Sequence, residues 1–370
     1  MDLSLNETQQ LIQDSTKDFV KGACDRDVLL KLDRAPAEIM PRYWKQFSEM
    51  GWTGMAIPEA YGGSGNDLLD VAVLFEELGV GPVPGPLFSS AVLCARIILE
   101  AGSEAQKKAL LPDIASGKRV FALAFTEAQF GWTEQAVKMK AAKEGTGYSL
   151  SGTKVFVDDA EFATDLLVVA RVDAGISLFH VDAKAKGVAI RSLTGFMTAK
   201  SEVVFDKAKA EAIGTAGSAW AGLDKGIVTS LPILCAYKVG GCKRVFDMSL
   251  SYAGERKQFG QVIGRFSRVQ DHIINLVNHL DSARWTTYEA LWKLDGKLDD
   301  VESSCHVAKA VSSESYLRAT DYAHEVHAGI GVVREYGLTL HTKMARSLYH
   351  SLGAPRVHYR ALEHSLKLVA

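Results

Sequence analysis

With 370 residues the chain can fill two or three hydrophobic cores, because a single core stops growing below ~300 residues. A hydrophobic share of 47% beside 23% charged residues is that of an ordinary soluble globular protein. The net charge of −2, with Lys and Arg scattered and not gathered into a stripe, argues against nucleic acid as a partner, and no run of about eighteen apolar residues offers a membrane span.

Residues 1–117 read as helical. Leu11, Ile12, Phe19 and Val20 recur at helical spacing, and Trp44, Phe47, Met50 and Trp52 form a second apolar stripe. Pro58-Glu59-Ala60-Tyr61-Gly62-Gly63-Ser64-Gly65 breaks the pattern with a glycine-rich turn. Helix resumes over Val71–Leu78 and Ala91–Glu100, and Pro82, Pro84 and Pro86 between them demand an extended connection. Around residue 118 the texture changes to short β-rich runs. These are Val120–Phe125, Tyr148–Gly152, Lys154–Val157, Asp165–Ala170, Ile176–Val181, Val188–Arg191 and Glu202–Phe205. Long amphipathic segments return at Gly226–Tyr252, Ser267–Leu294, Ser303–Val326 and Leu338–Ser351. The expected organisation is an N-terminal helical domain (1–117), a β domain (118–215) and a C-terminal helical bundle (216–370).

Cys24, Cys94, Cys235, Cys242 and Cys305 are odd in number, far apart and without metal-ligand spacing, so reduced thiols are expected. The N-terminal residues Met1–Glu7 carry neither a basic nor an apolar leader segment, which predicts a cytoplasmic protein.

The chemistry-bearing motifs lie in the second half. Glu255-Arg256-Lys257-Gln258-Phe259-Gly260 sets a forked cation beside an aromatic edge, a combination suited to a pyrophosphate and a flat ring. Farther on, Glu325-Val326-His327-Ala328-Gly329-Ile330-Gly331 is a small-residue turn that lets backbone approach a ligand closely.

In this order these motifs resemble the acyl-CoA dehydrogenase family, and the resemblance covers nearly the whole chain. Residues 58–65 look like that family's PExYGGxG turn. Ala124-Phe125-Thr126-Glu127, followed by Gly131, resembles its strand ending in TE. Gly152-Thr153-Lys154 with Phe156 resembles its GxKxxI segment. Arg256 through Phe266 matches its RxxFGxxIxxFQ stretch, apart from Ser267 where Gln is usual, and His327–Gly331 resembles its HGGIG turn. The resemblance implies an α+β multidomain fold of N-terminal helices, a central β-barrel or sandwich and a C-terminal four-helix bundle. It implies FAD between the β domain and the bundle, and an acyl-CoA substrate. A glutamate would remove the α-proton and hydride would leave Cβ for the flavin. A desolvated carboxylate is a competent base there, because burial raises its pKa.

By resemblance the cofactor-binding candidates are Arg256, Gln258, Phe259, Phe266, Thr126, Phe156, Asp158, His327 and Gly329. The departures concern the base and the flavin pocket. The family's glutamate position falls on Leu352 or Gly353, its alternative position falls near Ser230, and the nearest carboxylate downstream is Glu363. A serine without a neighbouring His or Lys is a poor base. Phe156 and Asp158 stand where members have Trp and Thr, and an ionised Asp158 cannot donate a hydrogen bond and would oppose a reduced, anionic flavin. Trp132 stands where a small residue is usual, and Glu325 replaces a customary Gln.

In the family the Arg256 segment reaches across a dimer interface to the neighbouring subunit's FAD, and some bacterial members pair a complete subunit with a degenerate one. The resemblance therefore implies the base-less subunit of a heteromeric enzyme, for which fatty-acyl or bulky steroid-type side chains are the expected substrates. A self-sufficient homo-oligomer with a base relocated to Asp67, Asp70 or Tyr349, and a non-redox binding module of the same fold, are the alternatives. Arg360 and His358 are further candidates beside the cofactor. The apolar face of one helix (Ile273, Ile274, Leu276, Val277, Leu280) calls for a partner, so a homo- or hetero-tetramer is expected, with electron-transferring flavoprotein as the acceptor.

Overall fold

The computed structural model describes residues 4–23, 25–33 and 36–366. They form two compact units, a helical one (1–34, 67–83 and 231–370) and one built around a sheet (35–66 and 84–230).

In chain order the helices are α1 (Glu7–Ala23), α2 (Arg26–Leu32), α3 (Pro36–Glu49), α4 (Leu68–Val80), α5 (Ala95–Ala101), α6 (Glu104–Ala115), α7 (Trp220–Glu255), α8 (Ser267–Asp295), α9 (Val301–His327), α10 (Leu338–His350) and α11 (Pro355–Ser365). The strands are β1 (Phe121–Ala124), β2 (Ala141–Glu144), β3 (Gly147–Asp158), β4 (Asp165–Val172), β5 (Gly175–Asp182), β6 (Val188–Leu193), β7 (Lys200–Ile213), β8 (Lys257–Gln258) and β9 (Gln261–Val262). Every long segment expected from periodicity is present. Short elements were not individually anticipated, among them α2, α6, β2, the strands β8 and β9, and α11. Trp52 lies outside α3, in a short 3-10 turn, and Met50 is exposed. An eight-residue π-helix, Leu87–Cys94, precedes α5, so helical structure begins earlier than the expected Ala91.

In the sheet unit, seven strands make one mixed sheet in the order β1-β4-β5-β7-β3-β2, with β6 on β7. Among its strands, β1 and β4 pair in parallel and the other strand pairs are antiparallel. The runs 148–152 and 154–157, read as separate from sequence, are one strand. Gly152 (φ 147) and a bulge after Lys154 interrupt its pairing with β7 without ending it. At the bulge, Val155 and Phe156 oppose a single residue of β7, and Phe156 takes a left-handed backbone (φ 53). The core is the inward face of this sheet, including Leu150, Leu166, Val168, Phe179 and Val203, all without solvent exposure.

The helical unit joins the N-terminal helices α1 and α4 to α7–α11. One device for this is Asp295, the last residue of α8. Its carboxylate accepts from Leu68 N (3.1 Å) and Leu69 N (2.9 Å), satisfying the open N–H groups at the start of α4. A second is the bare backbone of Gly240. A Cβ there would sit 1.8 Å from Glu76 O, so α7 and α4 approach closely only because this position is glycine. On α8, Leu276 and Leu280 are buried within the unit, whereas Ile274 is 54% exposed, which narrows the apolar face left for a partner chain. No helix among the described residues is long and apolar enough to cross a membrane.

Candidate active site

The candidate residues divide between the two units. In the sheet unit, two motifs that sequence reading treated separately prove to be one construction. Lys154, fully buried on β3, donates to Glu127 Oε1 at 2.8 Å and to Phe125 O at 2.9 Å. Glu127 also accepts from Lys138 N and Met139 N at 3.1 and 3.0 Å, so it closes the 127–139 loop over the end of β1. Burial pulls the Lys154 amine below its ordinary value against the hold of Glu127. Burial alone would raise the Glu127 carboxyl, but the ammonium and the backbone N–H groups bring it below the usual range. Thr126 between them is buried, and its carbonyl accepts from Val155 N at 2.8 Å, tying β1 to the bulge.

The bulge turns Phe156 outward. It is 46% exposed and lies 5.5 Å from the ring of Phe130, itself 60% exposed and left-handed (φ 56). Trp132 is half-buried and stacks on Phe125 at 4.9 Å. Asp158 carries a counterion that the sequence did not reveal, since Lys200, its register partner on β7, lies 2.5 Å away. The expectation of an uncompensated negative charge at Asp158 is therefore corrected. Its neighbour Asp159 was overlooked. It is left-handed (φ 58) and buried, and it accepts from Ser89 Oγ on the π-helix at 2.6 Å. Burial, then the adjacent Asp158, push its carboxyl up to about 7. The doubled aspartate at the end of a strand was the signal that could have found it. Ser230 is fully buried and donates back to Gly226 O at 2.7 Å, as helix-internal serines do, so it offers no base.

In the helical unit, β8 and β9 form a two-residue hairpin whose tip is Phe259-Gly260. Both have positive φ (52 and 78), the geometry that matches the twist of short hairpins. Phe259 is 91% exposed and meets Phe266 edge-on at 6.0 Å. Gln258 folds onto the backbone, donating to Lys257 O at 2.8 Å. Arg256 is exposed, and its guanidinium makes no hydrogen bond or ion pair among the described residues. His327 is buried, donates Nδ1–H to Ala323 O at 2.7 Å and lies between Tyr252 (4.8 Å) and Tyr336 (5.2 Å). Its Nε2 is buried without a partner. Gly329 is exposed, with open space where a Cβ would stand.

The turn at 352–353 carries no carboxylate. Leu352 is left-handed (φ 55) and buried, and Gly353 has φ 97. A Cβ on Gly353 would press on His358 Nε2 at 3.1 Å and Val357 Cβ at 3.2 Å, so of the two positions only 352 readily bears a side chain. The turn's carbonyls are both engaged, Leu352 O by His358 Nε2 (3.1 Å) and Gly353 O by Lys309 Nζ (2.8 Å). Two of the other candidate bases are committed elsewhere. Asp70 accepts from Gln9 Nε2 at 2.9 Å, and Tyr349 donates to Glu314 at 2.9 Å. Asp67 stands at the N-cap of α4, and Glu363 is exposed on α11. Cys94, Cys235, Cys242 and Cys305 are buried free thiols, while Cys24 lies outside the described residues. No group of metal-ligating residues occurs among the described residues.

Helices at both ends of the chain and a central mixed sheet define the fold class, and comparison with known proteins makes it specific. Three family models match, the acyl-CoA dehydrogenase N-terminal domain over 6–118, the middle domain over 122–208 and the C-terminal domain over 231–366. The chain belongs to the acyl-CoA dehydrogenase family. It is 28% identical to the probable acyl-CoA dehydrogenase YngJ of Bacillus subtilis (strain 168), covering 91% of this chain and 92% of that one. Among solved structures, the FAD complex of PigA superposes with a TM-score of 0.91 at 25% identity over the whole of both chains. A variant of the Tcur3481–Tcur3483 steroid ACAD superposes with a TM-score of 0.88 at 27% identity over 99% of each. FAD is the cofactor of this family. The residues of the helical unit fit such a group, because an unpartnered guanidinium, a bare aromatic edge and an open glycine turn are what a diphosphate-linked ring system requires.

Proposed function

We propose that this chain is the subunit lacking the catalytic glutamate in a heteromeric, FAD-dependent acyl-CoA dehydrogenase of the cytoplasm. The observation that carries the reading is a contrast between two places. The Arg256–Phe259 hairpin is exposed and unpartnered, while position 352, the one able to bear a base, holds a buried leucine.

FAD supplies the hydride acceptor for α,β-dehydrogenation of the acyl-CoA thioester. Arg256 would hold the pyrophosphate of the partner's FAD through its fork, with Phe259 and Phe266 offering aromatic cover beside it. Thr126, Phe156 and Asp158, with its charge balanced by Lys200, are the cofactor-binding candidates of the sheet unit itself. The partner subunit supplies the carboxylate that takes the α-proton. The steroid ACAD among the similar structures supports a bulky acyl group, and a mixed tetramer with electron-transferring flavoprotein as acceptor is the assembly we expect.

The test is FAD content and acyl-CoA oxidation of the chain purified alone and co-expressed with an acyl-CoA dehydrogenase-like partner encoded beside it. The expected result is no flavin alone and stoichiometric flavin in the pair. Arg256→Ala should then weaken flavin retention by roughly tenfold to a hundredfold, the range for a lost charge-assisted contact. A chain that retains FAD and oxidises acyl-CoA by itself would overturn the reading and favour the self-sufficient enzyme. A colourless pair would favour the binding module.

A further inference from the structure

A buried polar cluster of the helical unit lies apart from the residues named above as flavin-binding candidates. Lys238 on α7 and Lys309 on α9 have no solvent exposure, and neither has a carboxylate partner. Lys238 Nζ lies 2.8 Å from Ser313 Oγ, and Lys309 Nζ lies 3.1 Å from the same oxygen and 2.8 Å from Gly353 O. Ser313 Oγ itself donates to Lys309 O at 2.7 Å, so both its lone pairs serve amines. His358 donates Nε2–H to Leu352 O, which leaves its Nδ1 to accept from His306 Nδ1–H at 2.9 Å.

Two ammonium groups would bring three N–H donors each to two acceptor atoms. One neutral amine resolves this, because its lone pair accepts from the other lysine. The titratable groups packed around the pair are Cys235 and Cys242 from α7, His306 from α9 and His358 from α11. Glu302, at the edge, is 3.9 Å from His306 Nε2 and 65% exposed, so no carboxylate enters the cluster to balance a second cation.

We propose that Lys309 and His358 are positioning residues for the Leu352–Gly353 turn, and that the Lys238–Lys309 pair holds a single proton, so that a second proton loosens the turn. Burial, and the opposition of one cation by the other at Lys309, draw both amines below their ordinary value, Lys238 to about 8. His358 is drawn to about 2 by burial and then by Lys309, so the imidazoles stay neutral and the charge of the cluster is that of the lysines. The turn thus answers to pH through Gly353 O. Nothing in this depends on which subunit holds flavin.

Hydrogen exchange on the full chain tests it, read as protection factors at Gly353 N, which donates to His350 O, and Val357 N, which donates to Ala354 O. Protection there should rise by up to about tenfold per pH unit over part of the range below about pH 8, where the second proton leaves, while amides of the 257–262 hairpin stay unchanged. Lys309→Met should lose at least tenfold of that protection at about pH 9. Lys238→Met should keep it and lose its pH dependence, since one amine cannot hold a second proton and Lys309 donates to Gly353 O whether charged or neutral. Flat protection in the wild type, or pH dependence that survives in Lys238→Met, would overturn the proposal. If Lys309→Met does not fold, the wild type and Lys238→Met decide.

Discussion

Three lysines among the described residues have no contact with solvent, and the two units treat them differently. In the sheet unit Lys154 meets a carboxylate, Glu127, at 2.8 Å. In the helical unit Lys238 and Lys309 meet only a hydroxyl, a carbonyl and each other. A buried charge with a buried counter-charge is a fixed strut, because removing either partner strands the other. A buried amine without one is a proton-sensitive joint, because it can discharge. Asp159 is the acidic counterpart in the sheet unit, a buried carboxyl whose one side-chain donor is Ser89. The lesson is that burial alone does not tell a strut from a switch. The partner set does.

The largest effect should come from breaking the strut. Lys154→Met leaves the partly buried Glu127 with backbone donors alone, and should lower stability by about 3 kcal/mol in urea unfolding near neutral pH. A loss below about 1 kcal/mol would erase the distinction drawn here.

Asp159→Asn comes next, and its sign depends on pH. The folded carboxyl is raised to about 7 from an ordinary 3.8, so the folded chain binds the extra proton between those values. Wild-type stability is therefore fully present below the unfolded value and is lost as pH rises to about 7, by about 1.4 kcal/mol per pH unit at most. The asparagine still accepts from Ser89 and has no proton to lose. The variant should match wild type near pH 4 and exceed it near pH 8, and thermal melts at the two pH values check this.

Lys238→Met should run the opposite way with pH and be smaller. The folded amine is lowered, so the cost of charging it is fully present below about 8 and is relieved as pH climbs towards 10.5. Removing it should leave stability unchanged or raise it by about 1–2 kcal/mol near pH 7, with no gain near pH 10.5, in the same unfolding assay. A strong loss at pH 7 would make Lys238 a strut like Lys154. Arg191→Ala should do least. Its 3.4 Å pair with Glu202 leaves the arginine side chain 70% exposed, so a change within about 0.5 kcal/mol is expected by urea titration.

Periodicity in the sequence identified the long helices and most strands, because apolar residues at spacings of 3.6 and 2 mark the face each element buries. Local motifs singled out Arg256 and Phe259-Gly260, but their place at the tip of a hairpin with two positive φ values came only from the structure. The sequence also showed that no carboxylate occupies 352, 353 or 230, a matter of residue identity alone.

Tertiary structure decided the rest. It decided that β3 continues through its bulge, that Glu127 belongs to Lys154, that Asp158 is balanced by Lys200 and that Lys309 holds Gly353 O. It also decided between 352 and 353 as the position able to carry a side chain. Each of these joins residues far apart in the chain. Their ionisation and geometry follow from burial and from partners brought together by folding, and neither is written in local order.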